Sequence, residues 1–395
     1  MTEVYLDNHT ATLLDPLVYE VMIPYLTQKW GNYLQAHKKG VEVFGDVFSA
    51  YEKIYSLLNA DPKEDTLIFT SSNEEAISHV FHIVYENAVR GNGKNHFLSI
   101  QSEDAPILMN LKKLDLLGCK TIYMPLDKQG VLDTKQIAES ITPRCALVSI
   151  SIANGMTGLI QPIEELKELC KLRGIYLHLD ISFAIGKMEI DVSQIGADFI
   201  TFGGDKLHGP KSSGILYVRP GIKITPLICG GLEQNGFRGG SLDTSQIVGL
   251  VKAIDLAKEN ISEMCLEIAS LRDLFERYLE EGLEKIHILF NKCMRLPNVC
   301  VVAFEKVSAD ALLYALNQKG IYATLGGAHF QKLSILLESV GYPYWIADTS
   351  ISFALSRFTT AEEVKFACDI IIEEVLKLRK MSEQLKESHE PKETN

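Results

Sequence analysis

Two short segments carry the residue types that could do chemistry. Tyr176-Leu-His-Leu-Asp180 ends an apolar run on a carboxylate, and Phe202-Gly-Gly-Asp-Lys-Leu-His-Gly-Pro-Lys211 ends another in a glycine-bounded loop carrying Lys206. An aspartate and a lysine on neighbouring strand ends could hold a pyridine cofactor between them. The Asp180 carboxylate would keep the ring nitrogen protonated, making the ring an electron sink, while Lys206 forms an imine with the cofactor's aldehyde. Taken singly, each residue also reads as something plainer: an aspartate capping a helix, and a solvated lysine in a turn. Two phosphate-loop readings fail. The pattern G-x-x-x-x-G-K-[ST] begins to fit at Gly204 to Gly209, but Pro210 stands where the lysine is required. No G-x-G-x-x-G follows the first strand, so the dinucleotide fingerprint is missing.

The elements that must position these residues alternate up to about residue 220. Strands are predicted at 66–69, 96–100, 121–124, 146–152, 175–179, 199–202 and 214–218, with helices at 74–89, 105–117 and 163–172 between them. Such alternation implies helices packed on a largely parallel sheet. Ligands then bind outside the carboxyl ends of the strands, which is where Asp180 and Lys206 fall. From Thr244 to about Leu283 the pattern is helical with few breakers and reads as a long connecting helix, open to interruption. Strands at 286–290 and 299–304, a helix at 309–318 and a last helix from Ala361 to about Arg379 make a second, smaller α+β unit. The segment 381–395 is rich in Lys, Glu and Ser and is expected to be disordered.

The chain has 395 residues with a net charge of −12 and 46% hydrophobic content, enough to bury a large core without staples. That acidity argues against a nucleic-acid partner and against docking on an acidic membrane surface. No apolar run approaches the ~20 residues of a membrane helix; the densest, Ala146 to Ala153, has the length of a buried strand. No basic segment followed by an apolar one opens the sequence, so no secretory signal is expected. The eight cysteines form no C-x-x-C and no zinc-like set with histidine. No metal site is expected, and a reducing cytoplasm suits these cysteines.

The chain resembles the NifS/IscS-type cysteine desulfurases of the class V aminotransferase family, fold-type I pyridoxal phosphate enzymes. The resemblance is carried by Tyr5-Leu-Asp-Asn8, Ala60-Asp-Pro62, Phe69-Thr-Ser71 followed by Glu75, Asp180, Lys206-x-x-Gly-Pro-Lys211, Gly239-Gly-Ser241 and Arg357-Phe-Thr-Thr360. It implies an α/β fold: a large domain over 13–255 with a mainly parallel seven-stranded sheet, and a small α+β domain from 1–12 and 256–380. It further implies a homodimer using pyridoxal 5′-phosphate on a small amino acid such as cysteine, with a sulfur-acceptor or scaffold protein as a possible partner. By position, Lys206 becomes the Schiff-base lysine and Asp180 the partner of the ring nitrogen. Asn154 matches the asparagine near the phenolic oxygen and the substrate, and Arg357 the arginine that grips the substrate carboxylate. Ser71 and Ser72 match the phosphate end, and Ser241 the hydroxyl that reaches the partner subunit's phosphate. On local grounds Asn154 is also a turn residue before Gly155, Arg357 a surface ion-pair residue, Ser71 and Ser72 helix caps, and Ser241 an ordinary loop serine.

The departures from the family concentrate in the site. The mobile loop that carries the persulfide-forming cysteine corresponds to Leu325-Gly-Gly-Ala-His329-Phe330, which has none; the positional substitute is His329, able to move protons but not to hold a persulfide. The ring-stacking histidine aligns with Asp104, the glutamine near the phenolic oxygen with Phe183, and the histidine before the lysine with Asp205. A serine position holds Gly203, and a phosphate-loop threonine aligns with Glu74. Three of these changes place carboxylates beside an expected dianionic phosphate or the ring. Two like charges ~4 Å apart at an effective dielectric of 20 repel by about 4 kcal/mol, unless a proton or a cation such as Lys211 or Arg238 relieves them. Two expectations follow: an active pyridoxal phosphate enzyme working through Lys206, or a cofactor-impaired homodimer that binds a partner protein.

Overall fold

The computed structural model describes residues 3–133, 135–259, 261–327 and 331–389, with side chains excepted over 385–389. The strands in chain order are β1 (Val4–Tyr5), β2 (Thr66–Thr70), β3 (His96–Ser99), β4 (Lys120–Tyr123), β5 (Cys145–Ser151) and β6 (Tyr176–Asp180). They continue with β7 (Phe199–Gly203), β8 (Gly214–Val218), β9 (Ile286–Leu289), β10 (Val299–Phe304), β11 (Ile321–Tyr322) and β12 (Ser350–Ala354). The chain divides into two units, one formed by 10–154 and 160–262, the other by 1–9, 155–159 and 263–395.

The first unit is built on a seven-stranded sheet of order β2-β8-β7-β6-β5-β3-β4. Every neighbouring pair is parallel except the two that β8 makes, with β2 and β7. Two antiparallel steps restore direction, so the carboxyl end of β2 lies on the same edge as those of β7, β6, β5 and β3. That edge is where the fold gathers chemistry. β5 and β8 are buried along their whole length, as continuous apolar strands covered on both faces must be.

Helix formation follows the local signals. Helix Asn73–Val84 starts at Ser72, whose Oγ accepts from the Glu75 amide, and it passes into a π-turn over Tyr85–Val89 instead of ending as plain α-helix. The long helical stretch after Thr244 is two helices, Thr244–Lys258 and Ile261–Gly282. Helix Lys38–Leu58 has no counterpart in the sequence reading. Val43, Val47, Ala50, Ile54 and Leu58 recur at helical spacing and make its buried face, while Val41, Phe44 and Phe48 are exposed.

The second unit pairs β1 with β11 in parallel and forms an antiparallel sheet β12-β10-β9. Phe275, Phe304, Phe353, Leu312 and Ile371 are among the residues of its core. Its last helix runs Ala361–His389, past Arg379 and into the segment expected to be disordered. No helix among the described residues is long and apolar enough to cross a membrane.

Candidate active site

Lys206 closes a 3₁₀ turn, Gly204–Lys206, directly after β7. Its side chain is 7% exposed, and Nζ donates to the Thr10 carbonyl at 2.7 Å and to Asp205 Oδ2 at 2.6 Å. The turn is clamped from outside the sheet. The Asp205 carbonyl accepts from the Thr12 amide and hydroxyl, the His208 amide donates to Thr12 Oγ1, and the His208 ring nitrogen Nδ1 lies 2.8 Å from the Leu13 carbonyl. His208 sits at φ 61, a left-handed conformation unusual for a non-glycine residue and held here by these contacts. Gly209 must be glycine for a different reason: an added Cβ would lie 2.8 Å from the Gly204 carbonyl oxygen.

Asp180 ends β6, the next strand of the sheet. It is 5% exposed, and it accepts from the Ser182 amide through Oδ1 and from Asn73 Nδ2 through Oδ2, each at 2.8 Å. Burial raises its pKa above the usual carboxylate range, although the donors from Ser182 and Asn73 pull the other way. Glu74, exposed on the first turn of the Asn73–Val84 helix, is close enough to add to that rise. Phe183 is buried just beyond, with its ring centroid 6.0 Å from Lys206 Nζ.

Two more strand ends complete the row. After β5, Asn154 is buried and its Nδ2 donates to the Ser102 carbonyl at 2.9 Å. After β3, Glu103 and Asp104 are both buried. Glu103 accepts from the Ser151 amide (2.8 Å) and hydroxyl (2.7 Å), and burial pushes its pKa up to about 7. Asp104 lies well above the ordinary range, through burial first and then the negative charges of Glu103 and Asp180, with Lys206 opposing. Its Oδ2 is buried without a hydrogen-bond partner, as are Asn73 Oδ1 and Ser182 Oγ.

At the end of β2, Ser71 donates through its amide (2.8 Å) and its hydroxyl (2.5 Å) to Glu75 Oε2. Arg238 closes on the same carboxylate with Nε and Nη2 at 2.8 and 3.0 Å. Burial would raise the Glu75 pKa, but Arg238 and Ser71 outweigh it and hold it below the usual value. Ser72 serves as the helix cap. Ser241 lines a cavity of about 260 Å³ together with Ser71, Ser213, Arg238 and Gln246 of its own chain.

The structure therefore brings Ser71, Ser72, Asp104, Asn154, Asp180, Phe183, Asp205, Lys206 and Ser241 into one unit, most of them along one sheet edge. Arg357 belongs to the other unit, on the turn after β12, with its guanidinium 5.1 Å from the Phe358 ring centroid. His329 lies outside the described residues. Glu103, Asn73 and Thr10 were not singled out by sequence reasoning. Only Glu103 left a signal there, an acid directly beside Asp104 and just beyond an apolar strand.

A strand-edge lysine beside a strand-end aspartate on this sheet is the arrangement of a pyridoxal phosphate enzyme, and the chain belongs to the class V aminotransferase family, whose model matches residues 4–366. Class V aminotransferases and cysteine desulfurases use that cofactor. Among individual relatives, the chain is 34% identical over 389 residues to cysteine desulfurase IscS of Rickettsia felis, spanning 96% of this chain and 92% of that one. It is also similar to the solved structure of a NifS-like protein, at 30% identity and a TM-score of 0.89, covering 95% of this chain and all of the other. A NifS-like protein from Rickettsia africae matches at 26% identity and a TM-score of 0.84, with 95% of this chain covered.

Proposed function

We propose that this protein is a pyridoxal-phosphate-dependent enzyme that acts on a small amino acid, cysteine or a close analogue, with Lys206 as the residue bonded to the cofactor. One observation carries the reading: Lys206 and Asp180 are both buried at the carboxyl ends of neighbouring parallel strands, in a chain whose relatives are cysteine desulfurases. The residues fit the group. Asp180 is a buried carboxylate to which no cation among the described residues is bonded, and unpartnered oxygens of Asp104, Asn73 and Ser182 lie along the row. The first amides of the Asn73–Val84 helix point out of its N-terminus, where an anion is favoured.

When bound, pyridoxal phosphate supplies an electron sink for a bond ionising at the α-carbon of the amino acid. Asp180 would hold the proton at the ring nitrogen, and the amides of Asn73 and Glu74 with Ser71, Ser72 and Ser241 would face the phosphate. Phe183 and Asp104 would flank the ring, with Asn154 near its phenolic oxygen. Lys206, whose Nζ is held by Asp205 and the Thr10 carbonyl, would be the residue bonded to the cofactor and the group placed to move the proton at the substrate's α-carbon. Arg357 is suited to the substrate carboxylate. The stretch 325–330 has no cysteine, so an external thiol would have to take the substrate sulfur as a persulfide, the electron pair of the broken Cβ–S bond and a proton staying with the carbon product, and His329 is left to move protons. Eight thiols, none in a disulfide, support a cytoplasmic location.

A homodimer fits the exposed stripe of helix Lys38–Leu58. Phe44 and Phe48 line a cavity of about 710 Å³ with Tyr33, Tyr51, Leu232 and Phe237, a face for a second copy to cover. A second reading, a cofactor-impaired dimer that binds a partner protein, is favoured by one feature: Asp205 already pairs with Lys206. Purification with added pyridoxal phosphate separates the two. A visible band that disappears in Lys206→Ala supports the enzyme, and sulfide release from cysteine then tests the substrate. No band, or a band that persists in Lys206→Ala, refutes the enzyme reading.

A further inference from the structure

Resting on that reading, we propose that Asp104 stands in the site as a neutral carboxylic acid, an unspent hydrogen-bond donor for an aromatic aldehyde ligand of the pyridoxal class bearing an anionic oxygen. The geometry begins with a cap that does not cap. Asp104 precedes helix Ala105–Leu116 with extended backbone, yet its side chain makes no capping bond. The residue at the second helical position is Pro106, which has no amide hydrogen to offer. The carboxyl group is thus left untied, 5% exposed, with Oδ2 buried and unpartnered.

The charges around it favour the uncharged form. Glu103 on its own segment and Asp180 at the end of β6 each add to the cost of ionising it, and among the described residues Lys206 opposes them. Lys206 is already engaged by Asp205 and the Thr10 carbonyl. Burial and these neighbours place the Asp104 pKa well above the usual range. A carboxylate there would meet an anionic ligand with repulsion, whereas an acid meets it with a donor. Asp104 lies within electrostatic reach of both Lys206 and Asp180, the pair proposed to hold the ligand.

Infrared spectra of the ligand-free full chain test the protonation directly. The difference between wild type and Asp104→Asn at pH 7 should contain a protonated-carboxyl band; a difference showing only carboxylate bands overturns the proposal. Dissociation constants for pyridoxal phosphate, measured by equilibrium dialysis from pH 6 to 9, test the donor. Asp104→Asn, which keeps a neutral donor, should bind within about threefold of wild type at pH 6, and Asp104→Ala about tenfold more weakly. As pH rises, wild type should weaken relative to Asp104→Asn. Equal binding by wild type and Asp104→Ala overturns the proposal. The infrared band without any Lys206-dependent visible band defeats the proposed function and leaves the neutral acid standing; the visible band with a carboxylate-only spectrum does the reverse.

Discussion

Replacing Glu103 by glutamine should change how the stability of this protein depends on pH. Glu103 is completely buried, and its pKa rises from the ordinary 4.5 to about 7. A carboxyl group whose pKa is raised in the folded state favours folding below its unfolded pKa, and that advantage is lost as pH climbs through the folded value. The loss falls between about pH 4.5 and 7 and, at about 1.4 kcal/mol per unit, amounts to about 3 kcal/mol. Glu103→Gln removes the titration while keeping an oxygen for one of the two Ser151 donors. Any change in those hydrogen bonds is the same at every pH and cancels in the comparison. Urea denaturation followed by circular dichroism at pH 5, 6, 7 and 8 should show the variant gaining on wild type by roughly 2.5 kcal/mol across the series, since part of the loss is already complete at pH 5. Parallel profiles for the two proteins would refute the reasoning, because they would mean that Glu103 is already ionised at pH 5.

Three other perturbations report on separate parts of the structure. Arg238→Ala leaves Glu75 nearly buried without its cation and should destabilise the chain by about 3 kcal/mol in the same assay, with Glu75→Gln/Arg238→Ala recovering most of the loss. Asp205→Asn removes the carboxylate 2.6 Å from Lys206 Nζ and should speed formation of the Lys206-dependent visible band in stopped flow; an unchanged or slower rate would show that the ion pair does not hold the lysine back. Phe48→Glu places a charge on the exposed stripe and should shift the protein to monomer in analytical ultracentrifugation, with far-UV circular dichroism unchanged.

The fold was legible because its decisive signals are local. β5 reads as a strand from its unbroken apolar run, and Lys206 and Asp180 are polar residues that end such runs. What could not be read are relations set by the tertiary fold. Helix Lys38–Leu58 was legible in principle from the helical spacing of Val43, Val47, Ala50, Ile54 and Leu58, whereas helix Pro16–Thr27 carries a proline inside it, Pro24, that argues against a helix there. Sequence raised the question of three carboxylates, and the structure gives each a different surrounding: Asp104 buried and untied, Asp205 paired with Lys206, Glu74 exposed but felt by Asp180. Asn73 offered no sign that its amide would reach Asp180, since 107 residues separate them and only the order of strands brings them together.

The clamp that residues 10–13 place on the Lys206 turn has a kinetic side. Its hydrogen bonds join groups 193 to 196 positions apart in the chain. Contacts so distant in sequence form only after the intervening chain has collapsed, and they are slow to close. During synthesis, residues 10–13 must wait unpartnered until β7 and its loop exist to receive them. The lysine therefore takes its final position late, after the sheet it stands on, and a newly made chain would be structured before it is chemically competent.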